Sequence, residues 1–551
     1  MKIYDRFYTD TFDEEGRIAD IRINCPDSFN FAYDVVDEIA KEEPERRAIV
    51  WLDKSGEERI FTFGELSELS NRAANLFLSR GIRKGDHVML ILKRHYQYWY
   101  ALLGLHKIGA VAIPSTHMLK AHDIAYRIEN ADIKLILCTP EEGIPDSIRE
   151  ISDRYPGVIR MAVRGSLPDF LDFDAEMQKQ PGTLSRIATD SHDPMLLYFT
   201  SGTTGEPKGV VHDHSYALGH VVTAKYWQCC VDGGLHLTLA DTGWGKAAWG
   251  KLYGQWLSGS AVMVYDYDNF YANEILGIIE KYKVTTFCAP PTIYRYLVRA
   301  RISGYDLSSL AHTVTAGEAL SPDTQKDFLE KTGLLIHEGY GQTETTLTLA
   351  NLQEDPVKPG SIGRPTPLFD MDILTPEGKS ASPMEEGEIV MIPKKEQRMI
   401  GLFSCYHGDE EHYREVWEGG VYHTKDIAYR DEDGYYYFAS RKDDVIKSSG
   451  YRIGPAEVES VLLNHEAVLE CAVTGVPSRK RGFLIKATIV PTPGYEPSDE
   501  LKADIRDFVM HEASSYKCPR VIEFAESLPK TANGKIRRDV IRNADKDRLY
   551  D

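Results

Sequence analysis

The sequence predicts an α/β fold of helix-covered, mostly parallel sheets, followed by a small β-barrel and a compact α+β tail. Three observations carry this. Short apolar runs alternate with stretches of helical periodicity through the first 350 residues, the pattern of parallel strands with crossover helices. Beyond residue 355 the texture changes to short strands punctuated by Pro and Gly, as in "SIGRPTPLFDMDILTPEGK" and "EGEIVMIP". The final hundred residues mix helical and extended patterns again.

Taken in order, the strands are "RAIVWL" (47–52), "HVMLIL" (87–92), "IKLILC" (133–138), "AVMVYD" (261–266) and "VTTFCAP" (284–290). Between the first two, Thr62 and Glu65 have capping-box spacing, and Leu66, Leu69, Ala73, Leu76 and Phe77 recur at helical spacing before Gly81. This segment reads as one β-α-β unit. Met195 to Phe199 is a buried strand leading into a polar loop, and "GLLIHE" leads into another. Asp433-Gly434 marks a hairpin turn, and the last region opens with a helix after Gly454-Pro455 that turns Val458, Val461 and Leu462 inward. No repeat or long linker interrupts the chain.

A chain of 551 residues exceeds what one core holds, so at least two domains are expected. The net charge of −20 argues against nucleic acid or an anionic membrane as the main partner. Residues 501–551 are the exception, with 11 Lys+Arg against 9 Asp+Glu. The opening "MKIYDRFYTDTFDEEG" lacks a charged-then-apolar pattern and no apolar run approaches a membrane span, so the expected setting is cytoplasmic. Eight scattered cysteines without a CxxC pair read as reduced packing residues.

Four constellations carry chemistry. The first is "YFTSGTTGEPKG", where Thr200, Ser201, Gly202, Thr203, Thr204 and Gly205 follow a strand and Lys208 adds charge. Such a stretch is either a plain polar turn or a cradle of amides and hydroxyls for phosphate oxygens; its spacing is not that of a Walker A loop. The second is "HEGYGQTETT" (337–346), with Gln342 and Thr343 as neutral donors and Glu344 as a carboxylate for magnesium. In the third, residues 422–459, Asp426 suits a ribose hydroxyl pair and Arg441 suits ribose or phosphate. The fourth, "LPKTANGKIRR", is a basic turn near the C-terminus.

In this order the four stretches resemble the AMP-forming acyl-CoA synthetases of the adenylate-forming superfamily, which also contains luciferases and peptide-synthetase adenylation domains. The similarity is greatest to the short- and medium-chain acyl-CoA synthetases. It implies an AMP-binding adenylation domain over 1–441, built of two helix-covered sheets and a small β-barrel, and a mobile C-terminal domain over 442–551. It also implies an acid–thiol ligase: carboxylic acid and ATP give acyl-adenylate and pyrophosphate, and CoA then gives acyl-CoA and AMP. ATP, Mg2+ and coenzyme A would be its small-molecule partners, with no nucleic acid and no membrane span; monomer and homodimer stay open. By the same resemblance Lys535 bridges the acyl carboxylate and the α-phosphate, with Thr343 and Glu344 completing the catalytic set and Glu344 on the metal. The glycine-rich loop holds the β- and γ-phosphates. Gly317, Glu318, Ala319, Glu338, Gly339, Tyr340 and Gln342 line the nucleotide, and Asp426, Arg441 and Arg452 hold the ribose side. The hinge falls at Lys442-Asp443. Ser449, Gly450, Tyr451 and Arg481 meet CoA.

For the acid, "DTGWGKAAWGKLYGQW" (241–256) resembles the acyl tunnel of these enzymes, with Trp244, Lys246 and Trp249 in its wall. Acetate-specific relatives close the pocket with a tryptophan at the position of Gly341, so the floor is expected to be open to a short- to medium-chain or branched acid. Ser440 replaces the usual glycine before the arginine, and the hinge begins with lysine. Two alternatives remain in this reading: an enzyme that loads an acyl or aryl acid onto a carrier-protein phosphopantetheine, and one that acts on an aromatic acid. His212 and His214 share one strand face, but no third metal ligand is evident.

Overall fold

The computed structural model describes residues 2–550 apart from 142, 201–206, 319, 395–397, 443, 449–450, 479–481, 514–516, 532–534 and 547, with only the backbone at 447, 451, 452 and 482. Two large sheets dominate the N-terminal part. The eight-stranded sheet runs Cys405–Tyr406, Lys208–Asp213, Pro194–Thr200, Val111–Pro114, His87–Ile91, Ile133–Cys138, Ile159–Ala162, Leu171–Asp172. From Pro194–Thr200 onward its neighbours are parallel. The nine-stranded sheet has a parallel centre of Ile336–Tyr340, His312–Ala316, Thr286–Cys288, Leu235–Thr238, Ala261–Asp266 and Arg47–Asp53. Its strands are apolar on both faces because helices cover both.

The helix Gln97–Ile108 is buried along its whole length and packs on the helix Phe63–Ser79. The latter begins with the expected reciprocal cap, Thr62 accepting from Glu65 N–H and Glu65 from Thr62 N–H. One sequence expectation fails here. The strands 47–52 and 87–92 do not form a β-α-β unit: Arg47–Asp53 belongs to the nine-stranded sheet and His87–Ile91 to the eight-stranded one. Glu58–Thr62 intervenes as an antiparallel partner of Arg47–Asp53, and the helix after it crosses between the sheets. Local pattern sets each element, while the choice of sheet depends on distant strands.

The region after residue 355 forms a four-stranded antiparallel sheet, Asp370–Leu374, Gly387–Ile392, Tyr422–Arg430 and Tyr436–Arg441. Ser361 to Gly363 stitches it to the large sheet, with Ile362 N–H donating to Tyr436 O at 2.9 Å and Tyr436 N–H to Gly363 O at 2.8 Å. Gly363 has φ +91°, and a Cβ there would fall within the Ala350 carbonyl. From Ile446 a separate five-stranded sheet begins, its long hairpin Val468–Ser478 and Gly482–Pro491 flanked by the helices Pro455–Leu462, Asp499–Glu512 and Arg538–Asp545.

Gly363→Ala therefore strains the seam between two sheets. It should lower the thermal midpoint by about 3–10 °C. Gly360→Ala also has positive φ, +76°, but meets nothing within 4 Å; it should lower the midpoint less, as read by differential scanning calorimetry.

Candidate active site

The site is built around Asp426. The strand Tyr422–Arg430 alternates buried and half-buried residues, which directs Asp426 inward. Its Oδ2 accepts from the Tyr340 hydroxyl at 2.5 Å and from Gln342 Nε2 at 2.7 Å, and its Oδ1 lies 3.1 Å from Arg441 Nη1. Arg441 is its cross-strand partner, so the ion pair follows from sheet register. Gln342 departs from expectation. Rather than pointing an uncommitted amide at a phosphate, it donates to Thr424 O at 2.8 Å as well as to Asp426, and accepts from the Tyr422 hydroxyl at 2.8 Å. Burying Asp426 requires donors, and Gln342 supplies one.

The loop after Tyr340 is pinned at successive residues. Gln342 N–H donates to Thr345 Oγ1 at 3.0 Å, Phe403 N–H to Glu344 O at 2.7 Å and the Tyr406 hydroxyl to Glu344 Oε1 at 2.8 Å. His212 Nε2 donates to Thr343 O at 2.8 Å. Burial depresses His212 to about 3, so the ring is neutral and carries the donated proton on Nε2. This anchoring role was not legible in the sequence, where His212 and His214 were only a pair on one strand face with no third metal ligand. Among the described residues no group of three His, Cys, Asp or Glu could hold a metal.

The glycine-rich loop joins two antiparallel strands, with Thr200 opposite Lys208. Ser201, Gly202, Thr203, Thr204 and Gly205 lie outside the described residues. Lys208 is half-buried, and its pKa is lowered by burial and then by the Lys425 ammonium, against Asp409, Glu415 and Glu344. Lys208 thus faces Glu344 across the Tyr406 ring, whose centroid is 5.9 Å from Nζ.

A second group of cations closes the other side. Lys246 donates to Ala316 O, immediately before Gly317. Gly317 has φ +96°, and a Cβ there would lie 2.8 Å from Lys246 Nζ, so glycine is required for this approach. Glu318 accepts from the Thr292 hydroxyl at 2.9 Å. Lys535 is exposed, its N–H held by Thr531 Oγ1 at 3.1 Å. The Lys246 pKa is lowered mainly by burial, Cys288 and Glu318 oppose that, and the Lys535 charge lowers it further. Lys535 is thus near enough for its charge to act weakly on Lys246, and a Cβ on Gly245, beside Lys246, would lie 3.6 Å from Thr343 Cγ2.

The expected open floor at Gly341 is not open. A Cβ on Gly341 would lie 2.6 Å from both Trp249 Cη2 and Thr346 O. Trp249, 7% exposed, fills the space that the missing side chain leaves. Trp244 is half-buried at the start of the helix Gly245–Gly250. Trp256 belongs to the core, stacked on Phe31 and donating to Ala48 O. Glu338 and Gly339 are packed inside: Glu338 accepts from Leu320 N–H at 3.3 Å, and a Cβ on Gly339 would meet Leu347 and Trp227. Ala319, Asp443, Ser449, Gly450 and Arg481 lie outside the described residues, as do the side chains of Tyr451 and Arg452.

The buried Asp426–Arg441 pair beside the Tyr340–Thr343 segment, the strand that runs into the glycine-rich segment and the exposed Lys535 match the pattern of an adenylate-forming enzyme. Residues 36–403 match the family described as AMP-binding enzyme and residues 457–535 its C-terminal domain, so the chain belongs to that family. Within it the chain stands with the acyl-CoA synthetases, which are acid–thiol ligases. It is 37% identical over 539 residues to acyl-coenzyme A synthetase ACSM3, mitochondrial, of Mus musculus, covering 96% of this chain and 92% of the relative. Acyl-coenzyme A synthetase ACSM5, mitochondrial, of Homo sapiens is 37% identical, covering 94% and 91%. The anthranilate CoA ligase AuaEII, solved with anthranoyl-AMP, superposes with a TM-score of 0.86 at 30% identity, covering 95% of this chain and 98% of that one. An acyl-CoA synthetase from Brucella canis gives a TM-score of 0.73 at 29% identity, covering 95% of each chain. Among the described residues no helix is long and apolar enough to cross a membrane.

Burial raises the Glu338 carboxyl to about 8 from an unfolded value near 4.5. The native state therefore holds a proton that the unfolded state has lost, and stability falls as pH rises from about 4.5 to 8. Glu338→Gln removes this term. Its thermal midpoint relative to the parent should improve between pH 5 and pH 8.5, whereas a constant offset would assign the titration elsewhere.

Proposed function

We propose that this acyl-CoA synthetase activates a short- to medium-chain or branched carboxylic acid, with Lys535 acting in the adenylation step. The observation that supports the assignment is the placing of Lys246 against Ala316 O and Gly317, next to the Thr343 loop, where the charge of Lys535 also reaches it. A carboxylate cannot lose oxide to a thiol, so the oxygen must first become a good leaving group. Its attack on the α-phosphorus brings two anions together. Cations fixed in advance lower that barrier most, because they need no reorganisation during the step.

In this reading Thr200, Lys208 and the loop 201–205 take the β- and γ-phosphates, and Thr343 takes the α-phosphate. Asp426 and Arg441, with Arg452, hold the ribose; Tyr340, Gly317, Glu318 and Ala319 flank the base. Glu344 fits a magnesium ion, since Tyr406 occupies one of its oxygens and a carboxylate with phosphates is the usual Mg2+ donor set. The bound ion would neutralise phosphate charge. Gln342 supports Asp426 rather than meeting phosphate itself. Ser449, Gly450, Tyr451 and Arg481 receive CoA after a rotation about Lys442-Asp443, which divides the chain into 1–441 and 442–551. The mammalian relatives are named as mitochondrial; for this chain the cytoplasm remains the proposed setting.

Trp249 and Gly341, with Trp244 and Lys246, form the acyl wall, and Trp249 sets its depth through the Gly341 gap. The anthranoyl-AMP complex of AuaEII keeps an aromatic acid as the second reading. A panel of C2 to C12, branched and aromatic acids, scored by CoA-dependent AMP release, separates the two.

Lys535→Ala should cut acid-dependent ATP–pyrophosphate exchange by at least ~10²-fold, while thioester formation from supplied acyl-adenylate persists. Equal loss of both would remove Lys535 from adenylation. Gly341→Ala forces the Trp249 indole and the Thr346 carbonyl to yield, shortening the pocket. With each methylene contributing about 0.8 kcal/mol, the variant should lose kcat/KM for the longest accepted acids by about tenfold or more relative to propionate. An unchanged ratio in an active variant would take Gly341 out of the acyl wall.

A further inference from the structure

Glu388, on the strand Gly387–Ile392, is buried, and its two oxygens serve different elements. Oε1 accepts from Lys425 N–H at 3.0 Å. Lys425 has φ +60°, a left-handed backbone that a non-glycine residue holds only when its surroundings enforce it. This kink precedes Asp426. Oε2 lies 3.1 Å from Lys442 Nζ and 3.3 Å from His423 Nδ1. The Lys442 N–H also donates to Lys425 O at 2.9 Å. Lys442 is thus tied to the large domain through both its backbone and its side chain.

Two residues later the attachment is to the other domain. Asp444 is buried and pairs with Arg542 at 2.7 Å and Arg538 at 4.0 Å, both on the helix Arg538–Asp545. Arg538 in turn pairs with Glu459 at 2.6 Å. The chain passes from one rigid attachment to the other within residues 442–444.

We propose that Glu388 is a positioning residue that biases the enzyme toward the arrangement in which Lys535 faces Lys246, by pinning Lys442 to the large domain with its charge. The proposal rests on the reading above that the thioester step uses a different arrangement of the two domains. Lys442 is exposed and alone would gain little from an ion pair. Glu388 is already fixed by Lys425 and His423, so only the lysine side chain loses freedom on pairing.

Glu388→Gln keeps an acceptor for Lys425 N–H and removes the charge. Acid-dependent ATP–pyrophosphate exchange should fall about two- to fivefold, while thioester formation from supplied acyl-adenylate and CoA holds or rises. Lys442→Met, on an exposed side chain, should lower the same half-reaction, and the double variant should fall no further than the weaker single one. Equal loss in both half-reactions, or losses that multiply in the double variant, overturns the proposal. Exchange by the parent enzyme tests the adenylation reading separately, so failure of the Glu388 role leaves that reading standing.

Discussion

The buried charge of Asp426 is the constraint on which the site depends. A carboxylate removed from water is tolerated only when donors replace its hydration. Here two donors, the Tyr340 hydroxyl and the Gln342 amide, reach one oxygen from the end of a strand of the nine-stranded sheet and the residues just after it, and the Arg441 charge, from the neighbouring strand of the four-stranded sheet, balances the other. The same contacts fix the seam between the two sheets and set the height of the Thr343 loop. Arg441 ends its strand one residue before Lys442, so in the proposed reading the ribose side of the site and the hinge share one support.

The cations are arranged in the opposite sense. Burial is what chiefly lowers Lys208 and Lys246; Lys425 adds to it at the first and Lys535 slightly at the second, while Asp409, Glu415 and Glu344 oppose it at Lys208 and Cys288 and Glu318 at Lys246. An anion carrying several charges, placed between them, would relieve burial and repulsion together. In the proposed reading that anion is the triphosphate, and its binding would favour the arrangement that brings Lys535 near.

What could be read from the sequence was whatever depends on nearby residues. The capping box at Thr62 and Glu65, the strand into the glycine-rich loop and the hairpin at Asp433-Gly434 each rest on contacts within a few positions. The grouping of Asp426, Arg441 and the Thr343 loop followed from resemblance, not from spacing. What stayed hidden depends on partners far along the chain. Arg47–Asp53 and His87–Ile91 join different sheets because their neighbours, Ala261–Asp266 and Val111–Pro114, arrive later. Glu338 looks like any polar residue at a strand end until Leu320 closes over it. Gln342 has the composition of a ligand donor, yet the demand of Asp426 takes its amide. Glu388 sits in an apolar strand pattern that gives no sign of Lys442, 54 residues away.

Gly341 shows why a missing side chain is not the same as a space. Close-packed interiors do not leave a gap the size of an indole empty, and Trp249, from a helix ninety residues earlier by rough count, occupies the one beside Gly341. With glycine at 341 the indole lies against the backbone, and any larger residue there would displace either the indole or the Thr346 carbonyl. In the proposed reading pocket depth is therefore a property of the Gly341–Trp249 pair. The same loop carries Thr343, whose carbonyl His212 holds in place. In the proposed reading, a change made at Gly341 to alter the acyl wall would also act on the loop assigned to the phosphate, so selectivity and rate would shift together at this position.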